Sequence, residues 1–130
     1  NAASLTAFAD AREHLPEKLT LIVGNHDRRM RSMGAELGYR EQEPPYNHGG
    51  LTLCHDPCEA AAGLALAGHV HPLVRVQELR LSTRLKCFAQ LRDVLILPAY
   101  GDFTGGALIE PPKAERIYAI AGREVVPLKG

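Results

Sequence analysis

The sequence predicts an α/β domain in which strands become more frequent toward the carboxyl terminus. Three short apolar runs, at 19–23, 51–54 and 64–67, each end at a polar cluster, as buried strands do. After Pro72 the sequence alternates apolar and polar residues, which is typical of half-exposed antiparallel strands. The chain has 130 residues, of which 45% are hydrophobic and 23% charged, and this fits one domain with its own core.

Local signals along the chain predict the individual elements in order. Ser4, followed by apolar residues at helical spacing, predicts a helix that ends before Pro16. A second short helix is predicted over 28–37, punctuated by Gly34 and Gly38, and loops are predicted at 43–45 and 47–50. The predicted strands are 19–23, 51–54, 64–67, 74–81, 84–91 and 94–97, followed by a closing hairpin of 117–120 and 125–128 joined at Gly122-Arg123.

The charge balance and the cysteines exclude several classes of protein. Fifteen Lys and Arg balance fifteen Asp and Glu, so no overall field attracts nucleic acid or an anionic membrane, and any polyanion must be held locally. No apolar run approaches the ~20 residues of a membrane span, and the first residues lack a signal-peptide pattern. Three cysteines without a Cys-x-x-Cys favour reduced thiols in the cytoplasm.

Residues that ligate metals or transfer protons follow each of the three apolar runs. Four of the six histidines lie at these three points. When neighbouring buried strands point the same way, the loops that leave their ends meet at one edge of the sheet, where α/β folds build sites. The spacing therefore predicts a single cluster. It combines Gly24-Asn25-His26-Asp27, His55-Asp56 and Gly68-His69-Val70-His71.

Each of these motifs also has an ordinary structural interpretation. In an extended segment His69 and His71 project to the same side, so they reach one cation or two cations about 4 Å apart, or they form an ordinary histidine pair. Asn25 offers a carbonyl oxygen, His26 a titratable nitrogen and Asp27 a carboxylate that holds the imidazole, or the three belong to a solvated turn. Their occurrence together at three strand ends favours metal-assisted phosphoryl chemistry.

The order of these motifs resembles that of a known superfamily. The motifs GNHD at 24–27, the lone His55 and GHVH at 68–71 are similar to the last three of five motifs of the calcineurin-like metallophosphoesterases. HDP at 55–57, GHVHP at 68–72 and PAYGDFTGG at 98–106 resemble, more narrowly, the bacterial DNA-ligase-associated metallophosphoesterases, which are DNA damage response endonucleases. The resemblance implies a β-sandwich flanked by helices (α-β-β-α), present here in part, in a single domain over 1–130.

The resemblance also implies a set of roles for individual residues. Asn25, His55 and His69 would ligate one divalent metal and His71 a second, with manganese expected first and iron or zinc as alternatives. His26 would contact the scissile phosphate and assist the leaving group, and Asp27 would orient His26. The implied reaction is hydrolysis of phosphodiester bonds in DNA by a water activated between two metals, in DNA repair, beside a DNA ligase and a helicase.

Two further motifs of the superfamily are missing from the sequence. None of the five Asp is followed two residues later by His, and Gly101-Asp102 comes after the other motifs. The chain also begins with Asn1, so we expect an amino-terminally truncated domain, a competent hydrolase in the full-length protein and an impaired one in this chain. The missing strands would expose an apolar edge and favour self-association. The alternative is a catalytically deficient interaction module with the same fold.

Three other side chains have weaker functional interpretations. Arg28 follows the GNHD turn, where it either binds substrate phosphate or lies on a solvated helix face. Cys54 either senses oxidants and soft metals beside His55 or packs within its strand. Asp56 either orients a ligand histidine or begins a turn before Pro57.

Overall fold

The computed structural model describes residues 10–27, 30–31, 33–60, 63–78, 81–101, 104–110 and 113–128. The chain divides into two compact units, Asn1–Pro44 and Pro45–Gly130. Each unit is described by itself, and the assignment of 1–130 to a single domain stays a prediction.

The first unit contains a two-stranded parallel sheet. Strand β1 (Thr20–Ile22) pairs with β2 (Arg40–Gln42), and helix α1 (Gly34–Leu37) lies between them in the chain. Arg12, the last of the helical residues 10–12, donates hydrogen bonds to four carbonyls, those of Leu15, Pro16, Glu17 and Gly38. One guanidinium thus holds the chain before β1 against the end of α1.

The second helix is shorter than the sequence predicts. Within the described part of 28–37, α-helix occupies only Gly34–Leu37. Met30 and Arg31 instead lie in turns, in which the amide of Met30 donates to the carbonyl of Asp27 and that of Met33 to the carbonyl of Met30, each three residues earlier. Gly38, with φ of 72°, then ends the helix in the left-handed conformation that glycine adopts without strain.

The second unit is dominated by an eight-stranded sheet, counted over the residues that the structure describes. Its strand order is β10-β9-β7-β8-β5-β4-β3, and β6 pairs with β7. The bounds are β3 (Tyr46–His48), β4 (Leu51–Cys54), β5 (Ala65–Ala67), β6 (Leu73–Glu78), β7 (Leu81–Leu91), β8 (Val94–Ile96), β9 (Arg116–Ala121) and β10 (Glu124–Leu128), with a 3₁₀ turn at Pro57–Glu59. The strands predicted from 51 onward are all present, including the closing hairpin.

The loop predicted at 47–50 is wrong, because a β-hairpin occupies this segment. Strand β3 pairs antiparallel with β4, from Tyr46 opposite Leu53 to His48 opposite Leu51. Gly49 and Gly50 have φ of 58° and 83°, which suits the two-residue turn whose twist matches that of the strands. The polar residues of β3 hid a strand that forms one edge of the sheet.

Small side chains form the buried face of the eight-stranded sheet. Cys54, Ala67, Ile96, Ala89 and Cys87 lie on neighbouring strands and are each at most 6% exposed. Val74 of β6 and Ile117 and Ala119 of β9 extend the core on the same side of β7. Because every second residue points to this face, the alternation seen in the sequence is that of the folded strands.

The fold is mostly β-sheet and is compatible with part of a β-sandwich. In the described residues, α-helix is confined to 10–12 and Gly34–Leu37, so helical layers on the sheets stay a prediction. None of the helices described is long and apolar enough to cross a membrane.

Candidate metal centre

Two of the three predicted motifs leave adjacent parallel strands. Cys54 at the end of β4 pairs with Ala67 at the end of β5, so His55 and Gly68 follow side by side at one edge of the sheet. The amide of Gly68 donates to the carbonyl of His55 at 3.1 Å, which continues the ladder one residue beyond the strands. Parallel pairing therefore brings these two loops together, as the sequence predicts.

The imidazoles of His55 and His69 are in contact at this edge. Their ring centroids lie 4.6 Å apart and the ring planes meet at 66°. The carboxylate of Asp56 faces the same pair, with Oδ2 3.6 Å from Nε2 of His69. The His69 and Asp56 side chains are about one-third exposed, so solvent and ligands reach this cluster.

A capping box fixes the loop that carries His55 and Asp56. Asp56 accepts a hydrogen bond from the amide of Cys58, and Glu59 accepts from the amides of His55 and Asp56. Hydrogen bonds from the Cys58 side chain and backbone lower the pKa of Asp56, and the neighbouring His69 and His55 lower it further. Asp56 therefore begins the turn, and its Oδ2 also lies near a histidine; that it orients a metal ligand stays a prediction.

His69 and His71 both have backbones in the left-handed region. Their φ angles are 54° and 49°, a conformation that residues with a Cβ adopt rarely and at a cost of about 1–3 kcal/mol. The expected extended segment is therefore a pair of tight turns. Surrounding contacts maintain strain of this kind, and it is concentrated at functional sites.

A glycine-rich segment that follows β8 holds His71. Nδ1 of His71 lies 3.0 Å from the carbonyl oxygen of Gly105, and the amide of Ala107 donates to the carbonyl of Val70 at 3.2 Å. Nδ1 must carry the proton in this bond, which leaves Nε2 as the basic nitrogen. This is how proteins commonly orient a metal-ligating imidazole.

Gly106 allows this close approach, and sequence reasoning missed its role. A Cβ at this position would overlap the carbonyl oxygen of His71 and lie 2.9 Å from Cγ of Leu73. The signal was the glycine pair of PAYGDFTGG, but a sequence does not show which backbone a glycine touches.

Asn25, His26 and Asp27 belong to the first unit. They follow β1 in a tight turn, in which Oδ2 of Asp27 accepts a hydrogen bond of 2.8 Å from the amide of Gly24. Asn25 and His26 are exposed. Asp27 thus fixes the backbone of the turn that carries both side chains. Arg28 lies outside the described residues.

The cysteine beside the site is a packed strand residue. Cys54 is 6% exposed, and burial, followed by the charge of Glu59, raises the pKa of its thiol. A buried protonated thiol is a poor nucleophile and a poor metal ligand, which favours the structural interpretation.

Imidazole nitrogens are suitable ligands for a borderline divalent cation, but the second unit supplies only part of a coordination shell. Manganese, iron and zinc all accept imidazole nitrogen. No group of three or more His, Cys, Asp or Glu side chains that could hold a metal is found among the described residues. His55 and His69 would therefore need a further donor to complete a coordination shell.

Comparison with solved structures finds a nuclease. The chain is similar to the nuclease MPE of Pseudomonas putida, with 41% sequence identity and a TM-score of 0.77. The matched region covers 97% of this chain and 61% of that nuclease chain. No protein-family model matches the chain, and no curated protein matches it. In sequence and fold, this chain is thus similar to 61% of a bacterial nuclease.

Proposed function

We propose that the protein is a metal-dependent phosphoesterase that hydrolyses phosphodiester bonds in DNA as a repair endonuclease. The observation that carries the proposal is the contact between His55 and His69 at the ends of two parallel strands, with His71 held by its Nδ1 nearby in sequence. The 41% identity to a nuclease supports the same chemistry.

In this proposal the histidines hold two divalent cations, with manganese expected first. His55, His69 and Asn25 bind one cation, and Nε2 of His71 binds the other. Bound cations of this kind neutralise charge on phosphoryl oxygens and supply a nucleophile at neutral pH. Asp56 orients His69 and compensates positive charge, because its lowered pKa keeps it anionic at neutral pH.

The first unit supplies the proton donor of the proposed reaction. His26 is exposed in the turn that Asp27 fixes, so its ring is accessible to a substrate. His26 gives a proton to the leaving oxygen, a contribution that is typically about 10²–10⁴-fold in rate. The protein acts in the cytoplasm, where its cysteines stay reduced, and, as the resemblance implies, beside a DNA ligase and a helicase.

Metal binding by the second unit tests the proposal most directly. Co²⁺ is titrated into the chain and its visible absorption is recorded for the wild type and for His69→Asn. Asparagine tolerates the left-handed backbone at position 69, so this variant removes the imidazole without adding strain. We expect Co²⁺ affinity to fall by more than the ~10–100-fold that loss of a supporting residue costs.

His48→Asn is the matched control, because His48 is an exposed histidine in β3. It should leave Co²⁺ binding unchanged. Manganese-dependent cleavage of plasmid DNA is then measured on the product of the complete reading frame, with and without His69→Asn. Failure of that complete product to bind Co²⁺ or to cleave DNA would favour the alternative, an interaction module that keeps the fold without the chemistry.

A further inference from the structure

The β6–β7 ribbon carries basic side chains on one of its two faces. In the antiparallel register Arg75 lies directly opposite Arg84, and Leu73 lies opposite Lys86. Residues two apart share a face, so Lys86, Arg84 and Arg75 lie together with Gln77 and Ser82. Arg75 and Arg84 are exposed, whereas Val74 on the other face is buried in the core.

The direct pairing of two arginines is unfavourable in the isolated protein. Like charges directly opposite each other destabilise an antiparallel pair. The ion pairs of the described residues involve neither guanidinium. The chain has zero net charge, so the Arg75–Arg84 pair is a local concentration of positive charge. An anion that bridges both guanidinium groups would suit this pair.

Hydrogen bonds connect the ribbon to the segment beside the candidate metal centre. Nζ of Lys86 donates to the carbonyl of Gly101 at 2.8 Å, and Thr104 donates to the same carbonyl at 3.1 Å. One residue beyond Thr104, the carbonyl of Gly105 holds Nδ1 of His71. Lys86 thus joins the ribbon to the segment that orients His71.

An exposed aromatic ring stands at this junction. Tyr100, which precedes Gly101, is 94% exposed. A large aromatic side chain beside a basic groove is the combination with which proteins bind single-stranded nucleic acid, because bases stack on the ring while cations hold the phosphates. None of the residues through which β6 and β7 pair is aromatic, so Tyr100, next to the carbonyl that Lys86 contacts, is the exposed ring proposed for a base.

We propose that this surface binds a single strand of nucleic acid and leads it to the metal centre. Arg75 and Arg84 hold backbone phosphate, and Tyr100 stacks on a base. The Arg75–Arg84 row lies two residues from the Leu73–Lys86 row, or about 7 Å along the strands, so the two rows can contact separate phosphates of one strand. The contacts are independent of base sequence. This proposal rests on the proposed phosphodiesterase function.

Binding of a labelled single-stranded oligothymidine by the metal-free chain tests the surface. Fluorescence anisotropy is measured in EDTA over a range of salt concentrations, for the wild type, Arg75→Gln/Arg84→Gln and Tyr100→Ala. Loss of two phosphate contacts should reduce the slope of log affinity against log salt by about 1.4. Tyr100→Ala should weaken binding roughly 5- to 150-fold at constant salt.

Arg116→Gln/Arg123→Gln is the matched control, because both arginines are exposed on the β9–β10 hairpin and the change in charge is the same. It should keep the wild-type slope. The Arg75→Gln/Arg84→Gln variant should unfold at the same temperature as the wild type or higher, since it relieves the cross-strand repulsion. The proposal would be refuted if Arg75→Gln/Arg84→Gln bound the oligonucleotide with the wild-type salt dependence, or if the two double variants reduced the slope equally. An absence of wild-type binding at low salt, or tighter binding of a duplex of the same length, would also refute it.

A small substrate distinguishes failure of the proposed binding surface from failure of the proposed phosphodiesterase function. Bis(p-nitrophenyl) phosphate has no second nucleotide to reach the ribbon, so Arg75→Gln/Arg84→Gln should hydrolyse it at the wild-type rate in the product of the complete reading frame. If the variant hydrolyses this compound and also binds DNA as the wild type does, the proposed binding surface is refuted and the phosphodiesterase function stands. Arginine-dependent DNA binding with no hydrolysis of either substrate refutes the phosphodiesterase and leaves the surface in place.

Discussion

Replacing Gly106 with alanine tests whether close backbone contact holds the loop of His71. The new Cβ would overlap the carbonyl oxygen of His71 and lie 2.9 Å from Cγ of Leu73. Overpacking of this kind costs about 1–3 kcal/mol, because the backbone must move. Alanine also restricts the unfolded chain relative to glycine, which returns about 0.4–1 kcal/mol. We therefore expect a net loss of up to about 2.6 kcal/mol.

Gly105→Ala isolates the cost of the contact. A Cβ on Gly105 meets nothing within 4 Å, and its carbonyl remains available to Nδ1 of His71. The change in unfolded-state entropy is the same in both variants, so the difference between them is the overpacking energy alone. At about 4–8 °C per kcal/mol for a unit of this size, about 2 kcal/mol separates the two melting temperatures by roughly 8–16 °C.

Thermal unfolding followed by circular dichroism measures that difference, and the imidazole ¹⁵N shifts of His71 report its tautomer. In the wild type and in Gly105→Ala, Nδ1 should carry the proton, whereas Gly106→Ala should give a mixture of tautomers. Equal melting temperatures for the two variants would refute the close contact. An unchanged His71 tautomer in a destabilised Gly106→Ala would refute the link between that contact and the histidine.

Two predictions concern thiol accessibility and alkaline stability. In the native chain only Cys58 should react with Ellman's reagent, and slowly for an exposed thiol, because its hydrogen bond to Asp56 raises its pKa. Cys54 and Cys87 are buried, and burial raises the pKa of Cys87 to about 11. All three thiols should react in denaturant, and native reaction of more than one thiol would contradict the described core. Burial and the charges of Glu41 and Asp27 raise the pKa of Tyr39, so its contribution to stability is complete below the usual pKa of about 10 and is lost as the pH rises through the higher folded value. Tyr39→Phe loses the hydrogen bond to Met30, which costs about 1 kcal/mol, but its stability no longer falls at alkaline pH. Urea unfolding of both proteins at pH 8 and 10.5 measures this difference. Equal losses of stability in the two proteins would exclude the titration of Tyr39 as the cause.

The strands and two of the three site loops followed from the sequence because they depend on local patterns. Apolar runs predicted β1, β4, β5 and β8, and since β4 and β5 are parallel neighbours, His55 and His69 meet at one edge. Features that depend on pairing were not predicted. The basic face of β6 and β7 appears only once Arg75 is known to lie opposite Arg84.

Short polar elements and contacts made by glycine were not predicted from the sequence, for related reasons. Strand β3 consists of Tyr46, Asn47 and His48, whose polarity resembles that of a loop, and its hairpin is specified by two glycines whose positive φ a sequence does not display. In its described part the helix predicted over 28–37 is confined to Gly34–Leu37, because hydrogen bonds from Met30 to Asp27 and from Met33 to Met30 close three-residue turns before it.

The hydrogen bond from Gly68 to His55 constrains how this protein tolerates insertions and deletions. The two histidine loops start from residues in a fixed parallel register, and side chains alternate between faces along each strand. One residue added to or removed from β5 would turn its side chains to the opposite face and carry the backbone of His69 away from His55. Length changes in the connection between Glu59 and Leu64 leave that register intact. Homologous sequences should therefore vary in the length of the connection between β4 and β5, whereas the lengths of the two strands should stay constant.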